Sequence, residues 1–203
     1  MNKTKTLTFI ALLSALAIVF TMIEITYPFA PWLKFDLSEI AILFATNLLG
    51  LIPAIITSCV KAFLQLFTGD STPYNIGEIT ALIASMTFAI SFYITRKKSL
   101  LSRMIIVATS FTVVMITLNF FLITPIFFTG SLNFQDVIKT GMEVEIFNIS
   151  VKVIDTASYL KMIILIYLPF NLIKSSLICI IYSFIQKPIH KAFELIVNTN
   201  IAN

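Results

Sequence analysis

The sequence predicts an all-α integral membrane protein: six transmembrane helices, both termini cytoplasmic, and a long outer loop between helices 5 and 6. Three observations lead there. Of 203 residues, 58% are apolar and only 12% charged, with a mean hydropathy of +0.97; a soluble globule carries about 25% charge. The apolar residues gather into segments approaching the ~20 residues that cross ~30 Å of hydrocarbon. The basic residues concentrate in alternate connections, the pattern of cytoplasmic loops. A soluble enzyme, a disordered tail and a nucleic-acid-binding module are excluded on these grounds. The net charge of +4 suits an anionic lipid surface.

The first segment, Leu7–Ile25, follows Lys3 and Lys5 and has the outline of a secretory signal, with Ala15-Leu16-Ala17 in the place of a cleavage site. Its apolar run continues through Ile18-Val19-Phe20, so cleavage would cut it in the middle, and it is read as a retained span. The second, Ser38–Leu49, is short, with Asp36 or Ser38 placed to cap it. Gly50-Leu51-Ile52-Pro53 then reverses the chain into the third, Leu51–Phe67: glycine permits the turn and proline suits a first helical turn. The fourth is Ile76–Thr95, the fifth Met104–Phe128 and the sixth Tyr159–Ile185, where Pro169 predicts a kink or a late start. Together they make one membrane domain across residues 1–203, with no separate soluble domain.

Six spans put both termini on one side. That side holds Lys3, Lys5, Arg96, Lys97, Lys98, Arg103, Lys187 and Lys191, twice as many bases as Lys34, Lys139, Lys152 and Lys161 opposite, and is therefore cytoplasmic. The outer connections 26–37, 68–75 and 129–158 carry Asp36, Asp70, Asp136, Glu143, Glu145 and Asp155. The last is longer than the ~12–15 residues beyond which loops are usually functional or disordered. Within it Val144–Val153 partly alternates apolar and polar residues, the pattern of a short hairpin.

Catalysis finds no support. Cys59 and Cys179 lie in apolar runs and offer neither a disulfide framework nor a zinc cluster, His190 stands alone, and no metal constellation is present. The five glycines form no phosphate-binding loop, so the chain has no motif for ATP hydrolysis. The only scrap of a catalytic dyad is Lys174 beside Ser175. Charges within spans are more telling, because each costs a few kcal/mol unless it faces protein or a cavity. Lys61 lies about 15 Å into the third segment at 1.5 Å per residue. Asn171 and Lys174 share one face of the sixth, Asn119 falls in the outer half of the fifth, and Asn75 and Glu78 stand at the outer mouth of the fourth. Helix glue or snorkelling would account for any one of them. Together with Asp36 they form a polar cluster opening outward, more than glue requires. Ala11 and Ala15, one turn apart near the cytoplasmic end of the first span, would let another helix approach closely.

These residues give the chain a family resemblance along nearly its whole length. Ala11-Leu12-Leu13-Ser14-Ala15, Lys34-Phe35-Asp36-Leu37-Ser38-Glu39-Ile40, Leu48-Leu49-Gly50 running to Val60-Lys61, Gly77-Glu78, Leu118-Asn119-Phe120-Phe121 with Pro125, and Leu168-Pro169-Phe170-Asn171-Leu172-Ile173-Lys174 resemble the substrate-binding S-components of energy-coupling factor (ECF) vitamin transporters, most of all the riboflavin-specific kind. The Pro-Phe-Asn-x-x-Lys run is the most specific of these. The resemblance implies a six-helix membrane fold without enzymatic activity that captures its vitamin from outside. It also implies assembly with a transmembrane coupling subunit and two ATPase subunits. Carried over by position, Asn119, Asn171 and Lys174 would contact riboflavin, Asp36, Lys61 and Glu78 would help build the site, and Ala11 and Ala15 would dock on the coupling subunit. Riboflavin is then cargo, and no cofactor is implied. The chain departs from the family pattern at Ala62 and at Thr80-Ala81, where amides are common.

The chemistry of such a ligand suits these residues. An isoalloxazine has a broad apolar face and an edge of alternating donors and acceptors; asparagine offers both functions and a buried lysine a charge-assisted donor. Nineteen Phe, six Tyr and Trp32 supply stacking surface, although most of the Phe residues face lipid. A closing outer loop is expected over the pocket, with 129–158 as the candidate and 30–37 beside it. Another water-soluble vitamin, a flavin nucleotide, or an accessory membrane role without any ligand remain open on the residues alone.

Overall fold

The computed structural model describes residues 2–68, 73–147 and 149–199. Helix α1 (Lys3–Thr21) is capped by Asn2, whose Oδ1 accepts from the Lys5 amide at 3.1 Å. It is followed by a small hairpin of β1 (Ile25–Thr26) and β2 (Lys34–Phe35). Then come α2 (Ser38–Leu49), α3 (Leu51–Thr68) and α4 (Ile76–Ile94). Helix α5 (Leu100–Leu118) passes through a π-helical turn (Asn119–Ile123) into α6 (Thr124–Thr129). The short α7 (Phe134–Thr140) and a second hairpin, β3 (Glu143–Ile146) with β4 (Ile149–Lys152), lead into the long α8 (Thr156–Thr199).

Four stretches are long and apolar enough to cross a membrane: Lys3–Thr21, Ile76–Ile94, Leu100–Thr129 and Thr156–Ile196. Ser38–Leu49 and Leu51–Phe67 are apolar but shorter. At 1.5 Å per residue α2 reaches only about 18 Å, yet it has no need to match lipid, because α1, α3, α4 and α8 all pack against it. Every α2 residue from Ser38 to Thr46 is buried. The outer faces instead expose Leu12, Val19, Ile52, Phe63, Phe67, Ile94, Val113, Ile173 and Phe184, the inverse of a soluble protein. Many hydroxyls within the helices are satisfied locally: Thr46, Ser58, Thr112 and Ser175 each donate to the carbonyl four residues back. That matters in a medium without water, where an unpartnered polar group is costly.

Several boundaries differ from the sequence-based expectation. The first helix stops at Thr21 rather than Ile25, and Ile25 belongs to a strand. The β-branched Ile23, Ile25 and Thr26 favour extended backbone, and Pro28 steers Tyr27 away from the helical region; the Tyr27 amide instead donates to the Leu33 carbonyl at 2.8 Å. Helix α8 does not start late at Pro169; it begins at Thr156 and continues through both Pro169 and Pro188. The fifth segment begins four residues early, with Ser99 as its cap. The outer stretch 129–158 is a helix and a hairpin, not an open loop, and the hairpin falls where the alternation of Val144–Val153 placed it. Residues 69–72 of the loop 68–75, with Asp70, lie outside the described residues.

Two apolar clusters form the interior. One gathers Ile42, Leu43 and Phe44 of α2 with Phe88 and Phe92 of α4, Phe111 of α5 and Tyr182 of α8. The other joins Tyr27 and Ala30 of the first hairpin to Val137 of α7, Ile146, Val151, and the Tyr159–Phe170 part of α8. The tight reversal between α2 and α3 sets their register. Gly50 adopts φ +97° and ψ −177°, a conformation essentially reserved for glycine, while its amide caps α2 on the Thr46 carbonyl. Gly50→Ala, although no neighbour would meet the added methyl, should therefore cost about 1–3 kcal/mol. Thermal unfolding in detergent measures it, and an unchanged midpoint would contradict it.

Candidate ligand-binding cavity

Between the two clusters lies a cavity of about 410 Å³. The first hairpin, α2, α3, α4, α5 with its π-turn, α6 and α8 all contribute side chains to it. Of the polar cluster read from the sequence, Asp36, Lys61, Glu78, Asn119, Asn171 and Lys174 all line this one chamber, whereas Asn75 stands exposed outside it, just ahead of α4. Ala11 and Ala15 take no part in it; they sit exposed on the outer face of α1.

The charges are arranged in pairs. Lys61 Nζ donates to Glu39 Oε1 at 2.8 Å and to Ser85 Oγ at 3.1 Å, while the Ser85 hydroxyl donates to the same Glu39 oxygen at 3.0 Å. This triangle ties α2, α3 and α4, and Lys61 and Glu39 are each only 2% exposed. Lys174 Nζ donates to Asp36 Oδ2 at 2.7 Å, joining α8 to the connection ahead of α2. Asp36 Oδ1 accepts from both the amide, at 3.0 Å, and the hydroxyl of Ser38, so Asp36 satisfies an orphan donor at the start of α2. Burial alone would raise the Asp36 carboxyl. The Lys174 ammonium and then Lys61 outweigh it, hydrogen bonds from Lys174 and Ser38 add to them, and the group is held well below the usual carboxylate range. At the rim, half-exposed Lys34 and Glu24 form a third pair.

The two asparagines are set in the same way. Asn119 Nδ2 donates to the Met115 carbonyl and Asn171 Nδ2 to the Tyr167 carbonyl, each at 2.8 Å and each four residues back along its own helix. Each amide is thereby oriented, and among the described residues its Oδ1 acceptor and second N–H make no further hydrogen bond. Among the described residues Glu39 Oε2 and Gln65 Oε1 are also buried without a hydrogen-bond partner. The Trp32 indole N–H approaches the Tyr167 hydroxyl without completing a well-aligned bond. All three of these side chains line the cavity. Buried polar groups normally find partners, so the wall offers both donors and acceptors to whatever enters the cavity. Apolar surface comes from Leu33, Ile76, Phe111, Met115, Phe127 and Phe170.

Glu39, Ser85 and Gln65 escaped the sequence reading as individual site residues. A signal for Glu39 existed: it and Lys61 stand equally far from Gly50, so an antiparallel pair of helices folded at that turn brings them level. Nothing in the sequence marks Ser85, whose place depends on how α4 packs. The lid expectation also changes. Among the described residues, 129–158 contributes nothing to the cavity wall, whereas the first hairpin contributes Trp32, Leu33 and Lys34. The β3–β4 connection instead touches the hairpin from outside, with the Phe147 and Phe29 rings 4.0 Å apart.

Comparison with known proteins gives this cavity a context. A family model described as "ECF transporter, substrate-specific component" matches residues 5–186. The chain is 32% identical over 189 residues to the riboflavin transporter RibU of Staphylococcus aureus (strain TCH60), covering 90% of this chain and 88% of that one. It is 25% identical over 193 residues to the riboflavin transporter FmnP of Bacillus subtilis (strain 168), covering 90% of each. A solved structure described as "Structure and mechanism of the S component of a bacterial ECF transporter" aligns with a TM-score of 0.70 and 25% identity, covering 94% of this chain and 98% of that one.

The buried pair yields a stability test. Lys61→Met alone leaves Glu39 charged and unpartnered and should cost about 3–5 kcal/mol, whereas Lys61→Met with Glu39→Leu should recover most of it. Thermal unfolding of the three proteins decides; a single variant as stable as the parent would show that the pair carries no such burden.

Proposed function

The chain belongs to the family of substrate-specific components of ECF transporters, a multi-pass protein of the cell membrane, and from that membership we propose that it captures riboflavin in the cavity described above. The observation that carries this reading is the convergence of Asn119, Asn171 and Lys174 on one chamber already furnished with unpartnered polar atoms. The two amides present acceptors and donors to the edge of the isoalloxazine, Lys174 supplies a charge-assisted donor, and the apolar walls take the ring faces. Asp36 holds Lys174, Lys61 braces α2 against α3 and α4, and Glu78 lies on the wall of the entrance. At about 410 Å³ the chamber lies within the roughly 300–1,000 Å³ of small-molecule sites.

An uncharged guest suits the electrostatics better than a phosphorylated one. Each lysine of the wall, Lys34, Lys61 and Lys174, is already paired with a carboxylate. With Glu24, Asp36, Glu39 and Glu78 the wall holds four carboxylates against three lysines. A flavin nucleotide would bring its phosphate dianion among these groups.

With α2 and α3 counted as spans the chain crosses the membrane six times, as a single domain with both termini cytoplasmic and the cavity opening outward. Binding and energy supply are then divided. This chain holds the vitamin and performs no catalysis, while a coupling subunit and two ATPases drive its reorientation. Ala11 and Ala15, exposed on α1, provide the flat surface on which the coupling subunit packs.

Titration of the purified protein against riboflavin fluorescence tests the cargo. Quenching at or below micromolar concentration is expected, and its absence from a folded sample rejects the flavin. Asn171→Ala and Lys174→Ala should each weaken binding by about 10- to 100-fold, the loss of one or two buried hydrogen bonds. Flavin mononucleotide should bind at least about tenfold more weakly than riboflavin. Ala11→Trp with Ala15→Trp should abolish uptake in cells while leaving the titration unchanged; co-purification of this double variant with the coupling subunit would argue against the docking role.

A further inference from the structure

The register change beneath Asn119 leaves a backbone carbonyl without its helical partner, and one side chain outside the cavity repairs it. In an unbroken α-helix the Thr124 amide would donate to Phe120, four residues back. Here it donates to Asn119, five back, closing the π-turn. Continuing that register would ask residue 125 to donate to Phe120, but residue 125 is proline and has no N–H. The Phe120 carbonyl is thus denied both an α and a π partner. It accepts instead from the hydroxyl of Tyr159, at 2.9 Å. Tyr159 is fully buried near the start of α8, its ring 4.9 Å from Phe120 and stacked on Phe134 of α7. A second strut runs alongside: the Thr124 hydroxyl donates at 3.0 Å to that of Tyr167, a residue of the cavity wall.

We propose that Tyr159 is a positioning residue for the ligand: by satisfying the Phe120 carbonyl it makes the π-turn tenable and so sets the direction in which Asn119 faces the cavity. Isolated π-turns recur at functional sites because they shift a side chain around the helix without breaking it. An orphaned buried carbonyl is costly enough to undo such a turn. Tyr159 is absent from the cavity wall, so its influence on binding passes through Asn119. The outer stretch bearing Phe134 shares in the same arrangement by packing on the Tyr159 ring.

The proposal rests on riboflavin as cargo, and a double-mutant cycle with a ligand-free arm separates the two. Tyr159→Phe removes one oxygen and keeps the ring; riboflavin affinity should fall about tenfold, whereas in an Asn119→Ala background the same change should cost less than about twofold. Equal losses in both backgrounds, or none in either, would overturn the proposal. Pro125→Ala returns a backbone N–H within π-register reach of the Phe120 carbonyl and should recover most of the affinity lost in Tyr159→Phe; failure to recover would count against it. In the unliganded protein the side-chain amide signal of Asn119, identified by its disappearance in Asn119→Ala, should shift in Tyr159→Phe while that of Asn171 stays. An unmoved Asn119 signal overturns the positioning role. If the parent protein binds no riboflavin the cargo reading falls, and the amide signals alone decide for or against Tyr159.

Discussion

Inside a bilayer each polar group must find its partner within the protein, and this constraint organises the whole molecule. Serine and threonine hydroxyls turn back onto their own helices. Three lysines on the cavity wall are matched by three carboxylates. Even the carbonyl stranded by the π-turn is met by a tyrosine from another helix. Among the described residues Ser14, Arg103 and Tyr182 each keep one buried atom without a partner, off the cavity wall, whereas Glu39 Oε2, Gln65 Oε1 and the Trp32 indole N–H share one surface. A chamber in which several polar atoms gather without partners suits a polar guest.

The ion pairs shape the chamber as well as neutralise it. Glu39–Lys61–Ser85 fastens α2, α3 and α4 to one another, and Asp36–Lys174 fastens α8 to the entrance of α2. Helix α2 can be short because it is enclosed by other helices, and it can carry a buried acid because α3 answers it with a base. Buried pairs of this kind add little to net stability compared with an apolar replacement, but they penalise any packing that separates the partners. Their use here is to hold several helices around an empty space that hydrophobic packing alone would tend to close. On the proposed reading, binding supplies the hydrogen bonds that the wall still lacks.

Much was legible in the sequence because the solvent simplifies the reading. Composition and run length gave the membrane class, and the Gly50–Pro53 reversal appeared where expected. Six of the seven polar residues singled out within or beside the spans line one cavity, Asn75 being the exception, since few other reasons exist to keep polar groups at that depth. Boundaries were less legible where local preferences compete. Ile23 and Ile25 prolong an apolar run but prefer extended backbone ahead of Pro28, so hydropathy overran the end of α1. Pro169 allowed a late helix start, yet α8 begins thirteen residues before it.

Hydropathy and charge depend on what each residue is, so the sequence alone determined the membrane class, the placing of the apolar segments and the residues worth asking about. Pairing depends on which helix faces which. Only the tertiary structure decided that Lys61 answers Glu39 through Ser85, that Lys174 reaches across to Asp36, and that the first hairpin rather than the long outer stretch closes the wall. The same holds for Tyr159, nearly forty positions from the carbonyl it satisfies. Such partners are set by packing between segments distant along the chain, which no local pattern of residues records.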